Sequence, residues 1–153
     1  MTRIGLISDT HGLLRPQALD FLRGSDAILH AGDICDAGVL AALAAIAPLT
    51  AVRGNNDHGP WAEALPETLT LRIEGVALCM IHDLAQLAID PAAAGVRVVV
   101  AGHSHKGAIA ERGGVLYVNP GSAGPRRFTL PVSVGELRID GDAVTPRVVV
   151  LEV

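Results

Sequence analysis

Aspartate, histidine and asparagine residues cluster in five short polar stretches of the sequence, and each stretch follows an apolar run. In chain order the stretches are Ser8-Asp9-Thr10-His11-Gly12, Ala31-Gly32-Asp33, Arg53-Gly54-Asn55-Asn56-Asp57, Ile81-His82-Asp83 and Ala101-Gly102-His103-Ser104-His105. Their side chains offer nitrogen and oxygen ligands and no thiolate. This mixture favours manganese, iron, zinc, nickel or cobalt over calcium, and it disfavours a closed structural zinc site.

The spacing within the first and last stretches predicts that ligands are presented in pairs. Asp9 and His11 are two residues apart, as are His103 and His105. In extended backbone, residues i and i+2 point to the same side, so each pair is expected to direct two ligands together. Neighbouring glycines such as Gly12 allow sharp backbone turns and leave room around an ion.

The number of candidate ligands indicates more than one ion. The candidates are Asp9, His11, Asp33, Asn55, His82, His103 and His105. They are too many for one tetrahedral ion and suit two ions that share a bridging carboxylate, roughly 3.5–4 Å apart. The charge of two divalent ions exceeds that of two aspartates and a bridging hydroxide. The positive charge that is left would attract an anionic phosphate and stabilise its transition state.

The elements that position these stretches alternate between strand and helix in the first third of the chain. Apolar runs predict strands over residues 3–8, 27–30 and 49–53, while Pro16 and Asp36 are placed to begin two helices. This order predicts a parallel sheet with right-handed crossovers. Because sites in such sheets form beyond the carboxyl ends of the strands, the polar stretches are expected to meet there.

The rest of the chain favours hairpins. Further strands are predicted near residues 69–73, 76–81 and 96–101, a short helix over residues 90–95, and turns at Glu74-Gly75, Gly113-Gly114 and Asp140-Gly141. The predicted fold class is α/β, with two sheets face to face and helices outside. Without a repeat or a linker, residues 1–153 are expected to form a single domain.

Composition limits the function classes. The chain has 153 residues, of which 50% are hydrophobic and 3% aromatic, as expected of a folded protein with an aliphatic core. A net charge of −4 and the absence of a basic run argue against stable nucleic-acid binding. No apolar stretch predicts a signal peptide or a membrane span, so a cytoplasmic location is expected. Cys35 and Cys79 are expected to be reduced and buried.

The five stretches, taken in order, resemble the motifs of the calcineurin-like metallophosphoesterases, and in particular those of small bacterial and archaeal phosphodiesterases. The family pattern is D-x-H, GD, GN followed by x-D or H, a lone His, and GHxH. Residues Asn119 to Ser122 resemble a further loop of this branch. The resemblance runs from Asp9 to Ser122 and implies a four-layer sandwich of two sheets flanked by helices. It also implies a hydrolase that binds two divalent metal ions, most readily manganese.

The resemblance implies a role for each ligand. One metal would be held by Asp9, His11 and His105, the other by Asn55, His82 and His103, and Asp33 would bridge the two. A hydroxide shared by both ions would attack a small phosphate ester, most readily a phosphodiester. The other residues considered for catalysis are Asn56, Asp57 and His58.

Two positions depart from the family pattern. Many members carry a histidine where this chain has Asn56, and an amide cannot supply a proton to the leaving group at neutral pH. His58 is one candidate donor, although an exposed loop histidine is the simpler interpretation, and the other possibility is a preference for good leaving groups. Asp57 is expected to orient the loop. Asp83 stands where glycine is common, so it either tunes His82 or faces solvent.

Other functions remain open. One member of the retromer coat resembles this family and serves as an interaction module, so a protein-interaction scaffold is the alternative to an enzyme. Phosphoprotein phosphatases fit less well, because they are longer and carry the missing histidine. Arg53, Arg126 and Arg127 are candidate phosphate contacts, and His30 is expected to support the site from the core. Exposed edge strands leave homo-oligomerisation open.

Overall fold

The computed structural model describes residues 1–153, which form ten strands, three α-helices and one short 3₁₀ helix at Leu84–Gln86. The strands are β1 (Thr2–Ile7), β2 (Ala27–His30), β3 (Leu49–Ala51), β4 (Thr68–Ile73), β5 (Val76–Ile81), β6 (Val98–Val100), β7 (Ala108–Arg112), β8 (Val115–Asn119), β9 (Ser133–Asp140) and β10 (Ala143–Val150). The α-helices are α1 (Pro16–Leu22), α2 (Ala37–Ala44) and α3 (Pro60–Glu63). None of these helices combines the length and the apolar content needed to cross a bilayer.

The strands form two five-stranded mixed sheets. The first has the order β10-β9-β1-β2-β3 and the second has the order β4-β5-β6-β8-β7. Strands β1, β2 and β3 run parallel, as the βαβαβ pattern predicts, and the antiparallel β9–β10 hairpin extends that sheet. In the second sheet β5, β6 and β8 are parallel, with antiparallel strands at both edges. The predicted α/β class with two facing sheets is confirmed.

The main core lies between the two sheets. Alternate residues of each strand point inward, so that Leu6 and Leu29 of the first sheet belong to the same buried cluster as Leu78 and Val98 of the second. A second cluster covers the outer face of the first sheet. There Ile7 and Ile28 pack with buried side chains of α1 and α2, and Trp61 of α3 packs at the margin.

The outer face of the second sheet is covered differently from the predicted helical layer. Its small cluster contains Cys79, Val96 and Val99, and Leu84 and Leu87 of the 3₁₀ segment pack against it. The fourth layer of the sandwich is therefore a short 3₁₀ turn with loop residues. No α-helix lies there, which leaves part of this sheet face open.

The helix predicted over residues 90–95 is wrong. These residues form successive turns, in which the Ala94 amide donates to the Asp90 carbonyl and the Val96 amide to the Pro91 carbonyl. Gly95 adopts a φ of 77°, which ends any helical path. The amides of Gly95 and Val96 donate to the carbonyls of Ala92 and Pro91, a pattern that closes one turn and stops a helix from extending. The other predicted elements appear with small shifts of their ends, and Asp36 caps α2 by accepting from the Gly38 amide at 2.8 Å.

Candidate metal centre

The carboxyl ends of five strands deliver the candidate ligands. Asp9 follows β1, Asp33 follows β2 and Asn55 follows β3 in the first sheet. In the second sheet His82 follows β5, and the Gly102–His105 stretch follows β6. Because parallel strands end at the same edge of their sheet and the two sheets face one another, these stretches converge on one region.

The convergence is close at the two aspartates. Oδ1 of Asp9 lies 3.4 Å from Nε2 of His105, 3.8 Å from Nε2 of His82 and 3.9 Å from Nε2 of His11. Oδ2 of Asp33 lies 3.3 Å from Nε2 of His82 and 3.7 Å from Nε2 of His11. Two groups able to hold a metal ion result, Asp9 with His11 and His105, and Asp9 with Asp33 and His82.

The buried polar atoms without a hydrogen-bond partner all lie in this cluster. They are Oδ1 of Asp9, Nε2 of His82 and Nδ1 of His105. Buried polar groups are nearly always paired, so unpaired ones need an explanation. Nδ1 of His82 lies 2.8 Å from the Ala31 carbonyl, which requires the proton on Nδ1 and leaves a lone pair on Nε2. The unpaired Oδ1 of Asp9 and Nε2 of His82 lie 3.8 Å apart, and such a pair fits a divalent cation.

Electrostatics differ among the buried groups of the cluster. Burial raises the pKa of Asp9 above its usual value, although His82, Ser8 and His105 oppose the shift. Burial acts in the same direction on Asp33, but the neighbouring His82 and Asn56 hold the pKa of Asp33 below its usual range. For His82, burial favours the neutral ring, yet Asp33 and Asp9 raise its pKa. The cluster thus concentrates negative charge at positions that a cation would neutralise.

The backbone at the ligands is left-handed, which corrects the extended geometry predicted for the ligand pairs. The ligands with positive φ are Asp9 (55°), His11 (46°), Asp33 (57°), His103 (72°) and His105 (62°). Non-glycine residues seldom adopt this conformation, and strained backbone tends to occur at functional sites. Asp9 and His11 therefore meet through tight turns, not through the alternation of a strand.

Two glycines allow the loops to approach one another. A Cβ atom at Gly54 would overlap the backbone nitrogen and the side chain of Asp33. A Cβ atom at Gly102 would overlap Oγ of Ser8 and lie 2.8 Å from Oδ2 of Asp9. Any larger residue at these positions would push ligand-bearing loops apart, which explains why glycine precedes Asn55 and His103.

Asp57 joins two ligand loops through backbone hydrogen bonds. Its Oδ2 accepts from the amides of Asp33 (3.0 Å) and Gly54 (2.8 Å), and its Oδ1 accepts from those of Ile34 and Cys35, both at 2.8 Å. The residue is buried. A carboxylate with four donors is well suited to hold the loops in place and poorly available as a base, in agreement with the loop-orienting role expected of it.

Asn56 and His58 lie in different surroundings. The backbone amide of Asn56 donates to Oδ1 of Asp33 at 2.9 Å, and its Nδ2 donates to Oδ2 of Asp33 at 3.0 Å. His58 is exposed and lines a cavity of about 420 Å³ together with Asn55 and Glu63, next to the polar cavity that His82 lines. No hydrogen bond or ion pair joins His58 to the ligand cluster.

Asn55, His82 and His103 together line a polar cavity of about 380 Å³. Asp83 turns toward His103, with Oδ2 3.8 Å from Nε2 of that ring, so it does not reach His82. Arg53 also lines this cavity, and its guanidinium pairs with Glu67 at 2.9 Å. Arg126 and Arg127 are exposed on the loop beyond Ser122.

The polar residues that flank the ligands fasten the loops. Nδ1 of the buried His30 accepts from the Gly32 amide at 3.1 Å, and its Nε2 lies 3.1 Å from Oγ1 of Thr10. Burial lowers the pKa of His30 to about 3, which keeps the ring neutral. Ser122 Oγ donates to the Asp9 carbonyl at 3.0 Å. The family-like loop that begins at Asn119 thus supports the first ligand.

Cys35 was expected to be buried, and this prediction is wrong. The residue is exposed and has a φ of 68°, and its Sγ lies 3.6 Å from Nδ1 of His11. The left-handed turn after Asp33 directs the thiol outward. Partial desolvation and the carboxylates of Asp57, Asp33 and Asp9 raise its pKa to about 11, so the thiol is protonated at neutral pH. Cys79 is buried as predicted.

Comparison with known proteins shows which protein family this chain belongs to. The model of the calcineurin-like phosphoesterase superfamily domain matches residues 2–142, and the chain belongs to this family. It is therefore a phosphoesterase-family protein whose membership implies divalent metal ions.

Individual relatives agree with this membership. A probable metallophosphoesterase of Methanothermobacter thermautotrophicus is 35% identical over 158 residues, which cover 95% of this chain and 91% of the relative. Vacuolar Protein Sorting 29 of Cryptosporidium parvum superposes with a TM-score of 0.85 at 22% identity and covers 99% of this chain and 92% of its own. An archaeal phosphodiesterase superposes with a TM-score of 0.80 at 23% identity, covering 97% and 100%. At these identities the two structures show the fold alone.

Proposed function

We propose that this protein is a phosphodiesterase that uses two divalent cations, manganese most readily, to hydrolyse a small phosphate ester. The observation that carries the proposal is the set of buried, unpartnered ligand atoms at Asp9, His82 and His105. A chain that serves only as a scaffold gains nothing from leaving such atoms unpaired, because each costs roughly 1–3 kcal/mol.

The contacts of the two aspartates support an assignment of two ligand sets. We assign Asp9, His11 and His105 to one cation, and Asn55, His82 and His103 to the other. Oδ2 of Asp33 approaches one imidazole of each set, at 3.7 Å from His11 and 3.3 Å from His82. Oδ1 of Asp9 likewise lies 3.4 Å from His105 and 3.8 Å from His82, so these distances fit either carboxylate, and we assign the bridge to Asp33 from the family pattern. Oδ2 of Asp9 already accepts from Ser8 and from the His103 amide, which supports a terminal role.

The two cations would supply Lewis acidity and an activated water for attack on phosphorus. The chain's own residues hold that arrangement in place. Asn56 orients both oxygens of Asp33, Asp57 fixes the loops of Asp33 and Gly54, and the Ala31 carbonyl selects the tautomer of His82. Such support pre-organises a site and removes the need to reorder it during the reaction.

The side chains near the expected leaving group affect which esters can be hydrolysed. Asn56 cannot donate a proton at neutral pH, and its amide donates to Asp33 instead. His58 lines the neighbouring cavity on the other side of Asn55, so a leaving group would have to extend past Asn55 to reach it. We infer a preference for esters with good leaving groups.

The alternative is a protein-interaction scaffold on the same fold. The high structural similarity to Vacuolar Protein Sorting 29 of Cryptosporidium parvum is the observation in its favour. The full set of seven candidate ligands argues for the enzyme, because a scaffold does not need them.

Metal analysis and hydrolysis assays separate the two. The protein is purified without added metal, its metal content is measured, and hydrolysis of bis(4-nitrophenyl) phosphate and of 4-nitrophenyl phosphate is followed during manganese titration. We expect manganese-dependent hydrolysis, faster for the diester. His82→Ala should abolish it, while His58→Ala, which removes a histidine outside the cluster, should retain it with this activated substrate. Absence of both metal and hydrolysis in the unmodified protein would favour the scaffold.

A further inference from the structure

An apolar cavity of about 300 Å³ lies on the outer face of the second sheet, beside the candidate metal centre. Its floor and walls include Val99, Ala101, Ala108, Ala110 and Tyr117. This is the sheet face that no α-helix covers. A cavity of this size has room for roughly one or two aromatic rings.

Small side chains create the cavity. Val99 and Ala101 project from β6 and the residue after it, and Ala108 and Ala110 project from β7. Residues two apart on a strand share one face, so both alanines of β7 border the same space. Between them Ile109 points to the opposite face of the strand and lines a different cavity with Val144 and Pro146, which Ala110 also borders. The alanines therefore set the size of the cavity without contributing to the core.

The cavity adjoins the polar cavity of the candidate metal centre. His103 and Asp83 line the apolar cavity and also the polar cavity that contains Asn55 and His82. The His103 ring is thus a shared wall, 46% exposed at its side chain and 3.8 Å from the Asp83 carboxylate. A tetrahedral phosphate held beside His82 and His103 would have an ester substituent within reach of this space.

The charged residues of the cavity lining carry a net positive charge, because Lys106 and Arg112 outnumber Asp83. The Arg112 guanidinium stacks over the Tyr117 ring with 4.3 Å between its carbon and the ring centroid. Cations at the rim complement the negative charge of a phosphate ester and disfavour a cationic substituent such as an amine. The apolar interior and the cationic rim together define one type of occupant.

We propose that this cavity binds an apolar or aromatic substituent of a phosphate ester, and that Ala108 and Ala110 limit the size of that substituent. The inference deepens the proposed function and rests on it, because the phosphate must be held at the metal centre. It narrows the substrate class to anionic esters with one uncharged apolar or aromatic group.

Two non-hydrolysable phosphonates test the proposal by direct binding. Affinities of phenylphosphonate and methylphosphonate for the manganese-loaded protein are measured by isothermal titration calorimetry. Because the phosphonate group is common to both, the ratio of affinities reports on the cavity. We expect phenylphosphonate to bind about tenfold more tightly, the range given by placing a small apolar group in a fitted pocket.

Matched variants on β7 locate the effect. Ala110→Phe fills the cavity from an exposed edge strand and should remove the preference while leaving methylphosphonate binding unchanged. Ile109→Phe places a ring on the opposite face of the same strand and should keep the tenfold preference. Equal affinities in the unmodified protein, or an unchanged preference in Ala110→Phe, would overturn the proposal.

The same measurements separate this inference from the proposed function. Phenylphosphonate preference without hydrolysis of any diester would contradict the hydrolase and support the cavity as a binding site. Hydrolysis of a diester without the preference for phenylphosphonate would support the hydrolase and contradict the cavity as a binding site. If neither phosphonate binds the manganese-loaded protein, both proposals fail.

Discussion

Two regions of this protein bury carboxylates, and they treat them in opposite ways. On the outer face of the first sheet Glu136 is 1% exposed, and it contacts the guanidinium groups of Arg3 (3.4 Å), Arg138 (2.7 Å) and Arg147 (2.5 Å). Asp9 in the candidate metal centre is fully buried, and one of its oxygens has no hydrogen-bond partner. The chain neutralises the first carboxylate with its own cations and leaves the second to imidazoles with unpaired nitrogens.

The backbone conformation also differs between these two regions. Arg3, Glu136 and Arg147 lie on the regular strands β1, β9 and β10. Asp9 and its neighbours lie in left-handed turns after strands. Regular structure can satisfy a buried charge internally, whereas strained turns with unpaired ligands persist only when something else is gained. The second region is thus organised for a group that the chain does not supply.

The largest expected effect comes from Asp9→Asn, which keeps the shape of the side chain and removes its charge. We expect kcat/KM for bis(4-nitrophenyl) phosphate to fall roughly a thousandfold or more, with loss of bound manganese, because a charged ligand is lost. The metal-free variant should unfold at the same temperature as the unmodified protein or at a higher one, because burial raises the pKa of Asp9 and makes its charge unfavourable. Metal analysis, kinetics and calorimetry check this. A lower unfolding temperature of the metal-free variant would contradict the claim that the Asp9 charge is unfavourable without a cation.

Asp57→Asn tests a buried carboxylate of the candidate site that accepts hydrogen bonds from four backbone amides. An amide nitrogen would face two of the four backbone donors, so we expect a loss of about 3 kcal/mol in the free energy of unfolding. Hydrolysis should fall by about 10- to 100-fold, since supporting contacts orient the ligands. Urea denaturation of the metal-free protein provides the measurement. Unchanged stability would show that Asp57 does not join the two loops.

His30 provides a pH test of a neutral buried group. Its folded pKa is about 3 and its reference value is 6.5, so below pH 6.5 the unfolded chain binds a proton that the folded chain does not. Stability is therefore lost as pH falls through this range, by roughly 1.4 kcal/mol per pH unit, or about 2 kcal/mol at pH 5. Urea denaturation of metal-free protein at pH 7 and pH 5 should show this loss.

The control for this test is His58→Asn, which alters an exposed histidine and should keep the pH dependence, whereas His30→Asn should reduce it. NMR titration of the His30 ring gives an independent readout that does not need a variant. Protonation of that ring near pH 6.5 in the folded protein would contradict the prediction.

The smallest effect is expected at Glu136→Gln. Its arginine partners are partly exposed, so we expect a loss of only about 1 kcal/mol and unchanged hydrolysis. Arg138 and Arg147 hold the pKa of Glu136 below its usual value against the effect of burial. The stability that this lowered pKa provides is present above about pH 4.5 and is lost as pH falls through the folded pKa. Loss of hydrolysis in Glu136→Gln at neutral pH would contradict the expectation that only the Asp9 region serves catalysis.

Much of the fold follows from local pattern. The apolar runs before Asp9, Asp33 and Asn55 form parallel strands as predicted, because their hydrophobic residues and the flanking Pro16 and Asp36 specify strand and helix locally. The segment over residues 90–95 was mistaken for a helix because a Pro start and a Gly end also delimit turns. The physical difference lies at Gly95, whose left-handed backbone closes the segment after one turn.

Ligand type and order along the chain need no coordinates, so the amino-acid sequence was sufficient to identify the side chains that could bind a cation. How these side chains meet depends on the fold. The left-handed turns at Asp9 and Asp33, the four amides around Asp57 and the outward thiol of Cys35 all depend on contacts between loops far apart in the chain. The cavity bordered by Ala108 and Ala110 is likewise a property of packing, because an open space is defined by the elements around it and leaves no mark in residue order.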